Sequence, residues 1–307
     1  DNMAMTPNPP QRPSFAPRNW PGWMAVGLIW LLGQIPQRGG IALSRPLGWL
    51  LMKLLNRRVK IVERNIERCF PGWSREQRDE VVRGHFRSLA RMVFEQAWSW
   101  SASEKRVDSW GEAIDPEYAN RLTREGRGVL MLTCHSTCIE IGGYYAGRAT
   151  IRPWLVYRPL NSPVIDWYSN RRRRRYSEGG ISKRVFRSMV SLLAEGGILW
   201  YAPDQDFGPE RSEFAPFFGI QTATLAALVH LVEKSGCAVV PMFPSFDEKT
   251  GRYEAKFLPP LDNFPSGDTV ADLTRVNALI EEHVRQYPAQ YWWIHRRFKT
   301  RPEGEPP

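Results

Sequence analysis

The run His135-Ser-Thr-Cys-Ile-Glu140 sets an imidazole five residues ahead of a carboxylate. The histidine follows GVLMLTC (128 to 134), an apolar run that reads as a buried strand. Catalytic groups in open α/β sheets gather at the carboxyl ends of strands, so this imidazole stands where chemistry is done. A histidine there can take a proton from an alcohol, and a carboxylate can hold its tautomer and stabilise its protonated form. Five residues of helix turn through about 500°, or roughly 140° net. The pair can therefore meet only if His135 sits on the loop and Glu140 in the first turn of the helix after it. On that expectation His135 is a general base and Glu140 its partner.

Two more strand ends carry polar clusters, Tyr157-Arg158-Pro159 and Asp204-Gln205-Asp206-Phe207-Gly208. Asp204 and Asp206 suit a turn before Gly208, or ligation of a hard cation, although two carboxylates are too few to define a metal site. Cys134 and Cys138 flank His135 and raise a thiol nucleophile or zinc as alternatives. Neighbouring residues on a strand point to opposite sides, and no second Cys/His pair offers zinc its remaining ligands. The four cysteines lack disulfide-framework spacing and read as reduced thiols. No metal and no cofactor are expected. The run Arg171 to Arg175 suits a solvated helix end complementing the macrodipole, a grip on phosphate or an acidic protein, or RNA binding.

The elements that must position these groups alternate. IRPWLVY (151 to 157), GILWYA (197 to 202), AVVPMFPSF (238 to 246) and YEAKFLPPL (253 to 261) read as further strands. Helices are expected near 137 to 146, 162 to 174, 183 to 195 and 222 to 235, with a last one from Asp268 to about Tyr287. Such alternation predicts an α/β layered domain with a mainly parallel sheet. Upstream, Ser74-x-x-Gln77 has capping-box form and opens an amphipathic helix. Its apolar residues are Val82, Phe86, Leu89, Val93 and Ala97, with Arg83, Arg87 and Arg91 on the other side and His85 in a packing or surface role.

Of the net charge of +10, the segment from Asp1 to Arg75 carries eleven Lys/Arg against three Asp/Glu, beside the most apolar stretches of the chain. That pairing suits an anionic lipid surface better than nucleic acid. No cleaved signal pattern precedes it. The sixteen uncharged residues Trp20 to Ile35 fall slightly short of the roughly 20 that cross a bilayer core. With Leu47 to Leu55 and the basic Arg57-Arg58 they predict an N-terminal membrane anchor and an interfacial helix over residues 1–60, ahead of a domain over 61–307.

ERNIERCFP (63 to 71), HSTCIE (135 to 140), VYRPLNSPVIDW (156 to 167), LWYAPDQDFGP (199 to 209) and QYWWIHRRFKTRP (290 to 302) together make the chain resemble the late acyltransferases of lipid A biosynthesis. These lauroyl and myristoyl transferases lie within the wider lysophospholipid acyltransferase-like family. The resemblance implies an αβα acyltransferase core with a single N-terminal hydrophobic anchor at the cytoplasmic face of the inner membrane. It implies an acyl carrier protein thioester as donor and a Kdo-bearing, phosphorylated lipid A precursor as acceptor. His135 and Glu140 carry over as the catalytic pair, and Arg173 and Asp204 as functional positions. Arg158 and Arg173 are then expected to hold lipid phosphate or phosphopantetheine. A non-catalytic lipid-binding protein of this fold and an RNA-binding protein are the competing readings.

Overall fold

A computed structural model describes residues 5–6, 11–182 and 185–304. The chain runs through β1 (Met5–Thr6) and then three helices, α1 (Trp20–Gln34), α2 (Gln37–Leu54) and α3 (Asn56–Cys69). α4 (Arg75–Ser101) begins at the expected capping box, in which the Ser74 side chain accepts from the Gln77 amide and Gln77 returns the bond. There follow α5 (Glu104–Asp108), β2 (Gly111–Ile114), α6 (Glu117–Arg124), β3 (Val129–Leu132), α7 (Ile139–Ala149) and β4 (Trp154–Tyr157). The remainder is α8 (Pro163–Arg173), β5 (Gly179–Ser182), α9 (Phe186–Ala194), β6 (Ile198–Tyr201), the hairpin β7 (Ser212–Phe217) and β8 (Ile220–Leu225), α10 (Ala227–Ser235), β9 (Ala238–Asp247), β10 (Arg252–Phe257) and α11 (Thr269–Gln286).

The main sheet has the order β1-β5-β4-β6-β3-β9-β10-β2. Its five central strands, from β5 to β9, are parallel, with antiparallel pairings only toward the edges. Both faces are covered, which explains why β3 reads as unbroken apolar sequence. Alternate β3 residues divide between two cores. Leu130, Leu132 and Cys134 join α3, α9, α10 and α11 on one side, while Val129 and Met131 join α6 and α7 on the other. α4 reaches both, giving Phe86 and Leu89 to the first and Phe94 and Trp98 to the second.

α2 lies close along α4 because its inward face is Gly40, Ser44 and Gly48, one residue per turn. A Cβ at Gly40 would fall 2.4 Å from the Trp98 ring, and one at Gly48 2.7 Å from the Arg87 backbone. The opposite face of α2 and much of α1 carry exposed apolar residues, among them Met24, Leu28, Leu31, Trp49 and Leu54.

Several expectations are corrected. Among the described residues no helix is long and apolar enough to cross a membrane. α1 has 15 residues, about 22 Å of helix against a core of about 30 Å. A membrane-spanning anchor is thus unsupported. Residues 222–225, expected as helix, are the end of β8, and the expected helix at 183–195 is α9, with residues 183 and 184 outside the described ones. β2, β5, β7, α5 and α6 were not anticipated. On α4, Val93 is exposed, while Arg91 is buried and paired with Glu95 at 2.8 Å. His85 is a packing residue, fully buried.

Candidate active site

β3 and β6 are parallel neighbours in the register Leu132↔Tyr201. Counting three residues past each member of that pair reaches His135 on one strand and Asp204 on the other. The two segments leave the sheet side by side, and the Asp204 carboxylate accepts from the His135 backbone amide at 3.1 and 3.0 Å. The same carboxylate lies 2.7 Å from His135 Nδ1. An anionic carboxylate only accepts, so the bond assigns the proton to Nδ1 and leaves Nε2 to take another. Asp204 is buried, whereas the imidazole keeps 30 % of its surface. Burial works to raise the Asp204 carboxyl, but the His135 ring and the more distant Arg297 outweigh it and hold Asp204 below its ordinary value.

Glu140 stands in the first turn of α7 and serves a different cluster. Its carboxylate accepts from Trp100 Nε1 at 2.8 Å, from Arg173 Nε at 2.8 Å and Nη2 at 2.6 Å, and from the Tyr176 hydroxyl. Burial pushes its carboxyl up, but Arg173, Tyr176 and Trp100 reverse this and leave it lowered. The expected Glu140–His135 contact is therefore corrected: the carboxylate on the imidazole is Asp204. The first turn of α7 aims Glu140 away from the loop that bears His135 and toward α4 and α8. Arg173 belongs to this cluster, its guanidinium paired with Glu140 and lying over the Trp100 ring at 5.3 Å.

The rest of the arginine run divides. Arg175 donates to Ser99 O at 3.2 Å and Ala102 O at 2.8 Å, and Arg172 donates to Trp100 O. These are carbonyls at the end of α4, where a helix lacks internal partners and carries partial negative charge. The run thus caps a helix other than its own. Arg171 and Arg174 are exposed, and so is Arg158 just past β4.

Asp206 behaves as a turn former, its carboxylate accepting from the Gly208 amide at 2.9 Å and from the Thr300 amide and hydroxyl. Among the described residues no group of His, Cys, Asp and Glu is arranged to hold a metal ion. All four cysteines are free and buried. Cys138 donates toward Gln290 Oε1 at 3.4 Å, and burial pushes its thiol up to about 12. Burial and the Asp204 charge raise Cys134 as well.

Sequence reasoning missed the role of the last motif. Residues 290–300 have little regular structure, yet they cross the site. Thr137 N donates to Gln290 O at 2.8 Å and Trp292 N to His135 O at 3.2 Å, forming an antiparallel bridge between Ser136 and Tyr291. The signal was available, because an aromatic and basic tail after the last helix has no core of its own.

With the geometry in place, the family model and the sequence relatives agree. Residues 10–300 match the model of a family described as bacterial lipid A biosynthesis acyltransferase. The chain is 35 % identical to the lipid A biosynthesis lauroyltransferase of Escherichia coli K12, over 94 % of this chain and 95 % of that one. Against the palmitoleoyltransferase of the same organism it is 33 % identical, over 94 % of both. The myristoyltransferase is 29 % identical, over 94 % of this chain and 90 % of that one. Among solved structures, the 1-acyl-sn-glycerophosphate acyltransferase PlsC of Thermotoga maritima aligns over 83 % of this chain and 99 % of its own, with TM-score 0.38 and 12 % identity. The chain belongs to the bacterial lipid A biosynthesis acyltransferases and is an acyltransferase.

Proposed function

We propose that the enzyme transfers a fatty acyl chain from an acyl carrier protein thioester to a hydroxyl of a Kdo-bearing, phosphorylated lipid A precursor. His135 is the general base, oriented by Asp204. The observation that carries this reading is the 2.7 Å contact between His135 Nδ1 and a buried carboxylate held in its anionic form.

His135 Nε2 takes the proton of the acceptor hydroxyl as its oxygen attacks the thioester carbonyl carbon. Asp204 stabilises the imidazolium. As the tetrahedral intermediate collapses, the C–S bond breaks and the departing thiolate recovers the proton from Nε2. An ester and a thiol result, and no acyl-enzyme forms. Glu140 and Arg173 act one step removed, fixing α7 and with it the turn that bears His135. A cavity of about 1000 Å³ lies beside the end of β6, its wall combining apolar Val156, Phe186, Met189, Leu225 and Leu231 with charged and polar Glu210, Arg211, Glu213 and His230. These apolar groups suit an alkyl chain. Exposed Arg158 remains a candidate for lipid phosphate or phosphopantetheine.

Attachment to the cytoplasmic face of the inner membrane is part of the same proposal, and the exposed surfaces of α1 and α2 support a membrane contact. α1 exposes Met24 without a charge of its own, while α2 exposes Trp49 and Leu54 together with Arg38, Arg45 and Lys53, and Arg57 comes just after. Apolar residues beside cations suit a helix lying in the headgroup region of an anionic leaflet.

Loss of a positioned base costs on the order of 10²- to 10⁴-fold in rate. His135→Ala should lower turnover of an acyl carrier protein thioester with a lipid A precursor by that factor, with the product weighed by mass spectrometry. A folded His135→Ala enzyme that keeps wild-type turnover rules the mechanism out.

A further inference from the structure

We propose that His295 is a positioning residue for the reaction, its neutral imidazole holding the Asp204 loop against His135. This rests on the reading of His135 as base. The backbone amide of Asp206 donates to His295 Nε2 at 3.0 Å, two residues beyond the carboxylate that orients His135. An imidazole nitrogen that accepts cannot carry a proton, so the bond requires His295 protonated on Nδ1 alone. Burial and the neighbouring Arg297 lower its tendency to charge, Asp204 and Asp206 oppose them, and His135 adds to the lowering, so the ring stays neutral. Lys299 lies 3.9 Å from Asp206.

The backbone that carries the ring is itself fixed from behind. Asn65 on α3 donates to the carbonyls of Trp293 and His295 at 2.8 and 2.9 Å, and Arg58 donates to Ile294 O at 3.2 Å. The same segment reaches the other half of the pair, with Trp292 N bonded to His135 O and Gln290 O accepting from Thr137 N. Gln290 is anchored in turn on β9, exchanging two bonds with the Phe246 backbone at 2.9 and 2.7 Å. One irregular stretch thus grips the residues just after His135 and those just after Asp204. Within it, the Thr300 hydroxyl reaches the Asp206 carboxylate and Tyr291 lies against Asp204, but the His295 bond goes to the backbone of the Asp204 loop and can be removed without disturbing the backbone bridge at Ser136. A shift of Asp204 by a fraction of an ångström would weaken the short bond to Nδ1 on which orientation of the base depends.

Geometry also predicts which replacement succeeds. The Oε1 of a glutamine occupies nearly the place of Nε2 and can accept the same amide, whereas alanine cannot. We expect His295→Ala to lower kcat about 10- to 100-fold with KM for the acyl carrier protein thioester within about twofold. His295→Gln should recover kcat to within about fivefold of wild type. In an Asp204→Asn background, His295→Ala should cost less than about threefold more, because residues acting through one another are not additive. Thermal unfolding identifies folded variants, and kcat is expressed per folded enzyme. Unchanged kcat in His295→Ala overturns the proposal, as does a folded His295→Gln no more active than His295→Ala. If His295→Ala does not fold, the glutamine variant decides alone: kcat within about fivefold supports the bond, and a larger loss overturns it. Wild-type activity in Asp204→Asn would instead refute the underlying His135–Asp204 reading, and that arm is measured separately.

Discussion

Two acidic residues compete for the role of partner to His135, and one pair of substitutions separates them. Asp204→Asn is nearly isosteric, but its amide cannot stabilise an imidazolium and can face Nδ1 with a donor, favouring the wrong tautomer. In a serine protease the equivalent change costs about 10⁴-fold, so a loss on the order of 10³- to 10⁴-fold is expected with little change in substrate affinity. Glu140→Gln perturbs a different balance. Oε1 of Glu140 receives Trp100, Arg173 and Tyr176, and Oε2 receives the second Arg173 bond. Glutamine keeps one acceptor and turns an NH₂ toward the guanidinium, leaving a largely buried cation without its counter-charge. Breaking such a pair costs about 3–5 kcal/mol, read as a fall in Tm on the order of 10 °C. Both variants are followed by acyl transfer from the carrier protein thioester and by thermal unfolding in detergent. The reasoning is refuted if Glu140→Gln unfolds with wild type yet loses as much rate as Asp204→Asn, since Glu140 would then be acting on the base and not on Arg173.

Further outcomes follow from burial and charge. Because burial raises Cys134 and pushes Cys138 up to about 12, a disulfide probe at about pH 8 should leave both unmodified until the chain is denatured, and Cys134→Ser should retain most activity. Trp49→Glu with Leu54→Glu should weaken sedimentation with vesicles containing anionic lipid at least tenfold; equal binding would remove α2 from the contact. Arg158→Ala should raise KM with kcat nearly unchanged if this exposed guanidinium binds an anionic part of either substrate, and unchanged kinetics would leave it a solvated residue.

The sheet was legible because its strands are buried on both faces and bounded by turns. Continuous apolar runs such as Val129 to Leu132 have little other reading when helical stretches intervene. β5, GGIS, was not legible, since two glycines carry no hydrophobic signal and the strand exists through its pairing with β4. The hairpin β7–β8 was lost for a related reason. TATLAAL has helix-like composition, and only the pairing of Ser212 to Phe217 with Ile220 to Leu225 makes its first half a strand. Arg91 resisted prediction because its burial depends on Glu95 one turn on and on Glu248 from another element.

The site divided along the same line. Each residue could be named from sequence, as His135, Glu140, Asp204 and Arg173 stand in recognisable segments. What sequence lacks is register. Glu140 reads as the partner of His135 because it is close along the chain, whereas α7, α8 and α9 all intervene before Asp204. Once β3 and β6 pair Leu132 with Tyr201, the distant carboxylate lies directly beside the imidazole and the near one has turned away on its helix. Proximity along the chain is a poor guide where a parallel sheet sets neighbouring strand ends side by side, because each crossover inserts a helix between residues that finish in contact. The tail extends the point. Trp292 and His295 are further still from His135, yet they bond its carbonyl and the Asp206 amide. The residues that hold His135 are thus contributed by two segments distant in sequence, the loop after β6 and the tail, and on the proposed reading a substitution in the tail, far from the histidine motif in sequence, is expected to act on turnover before it acts on substrate binding.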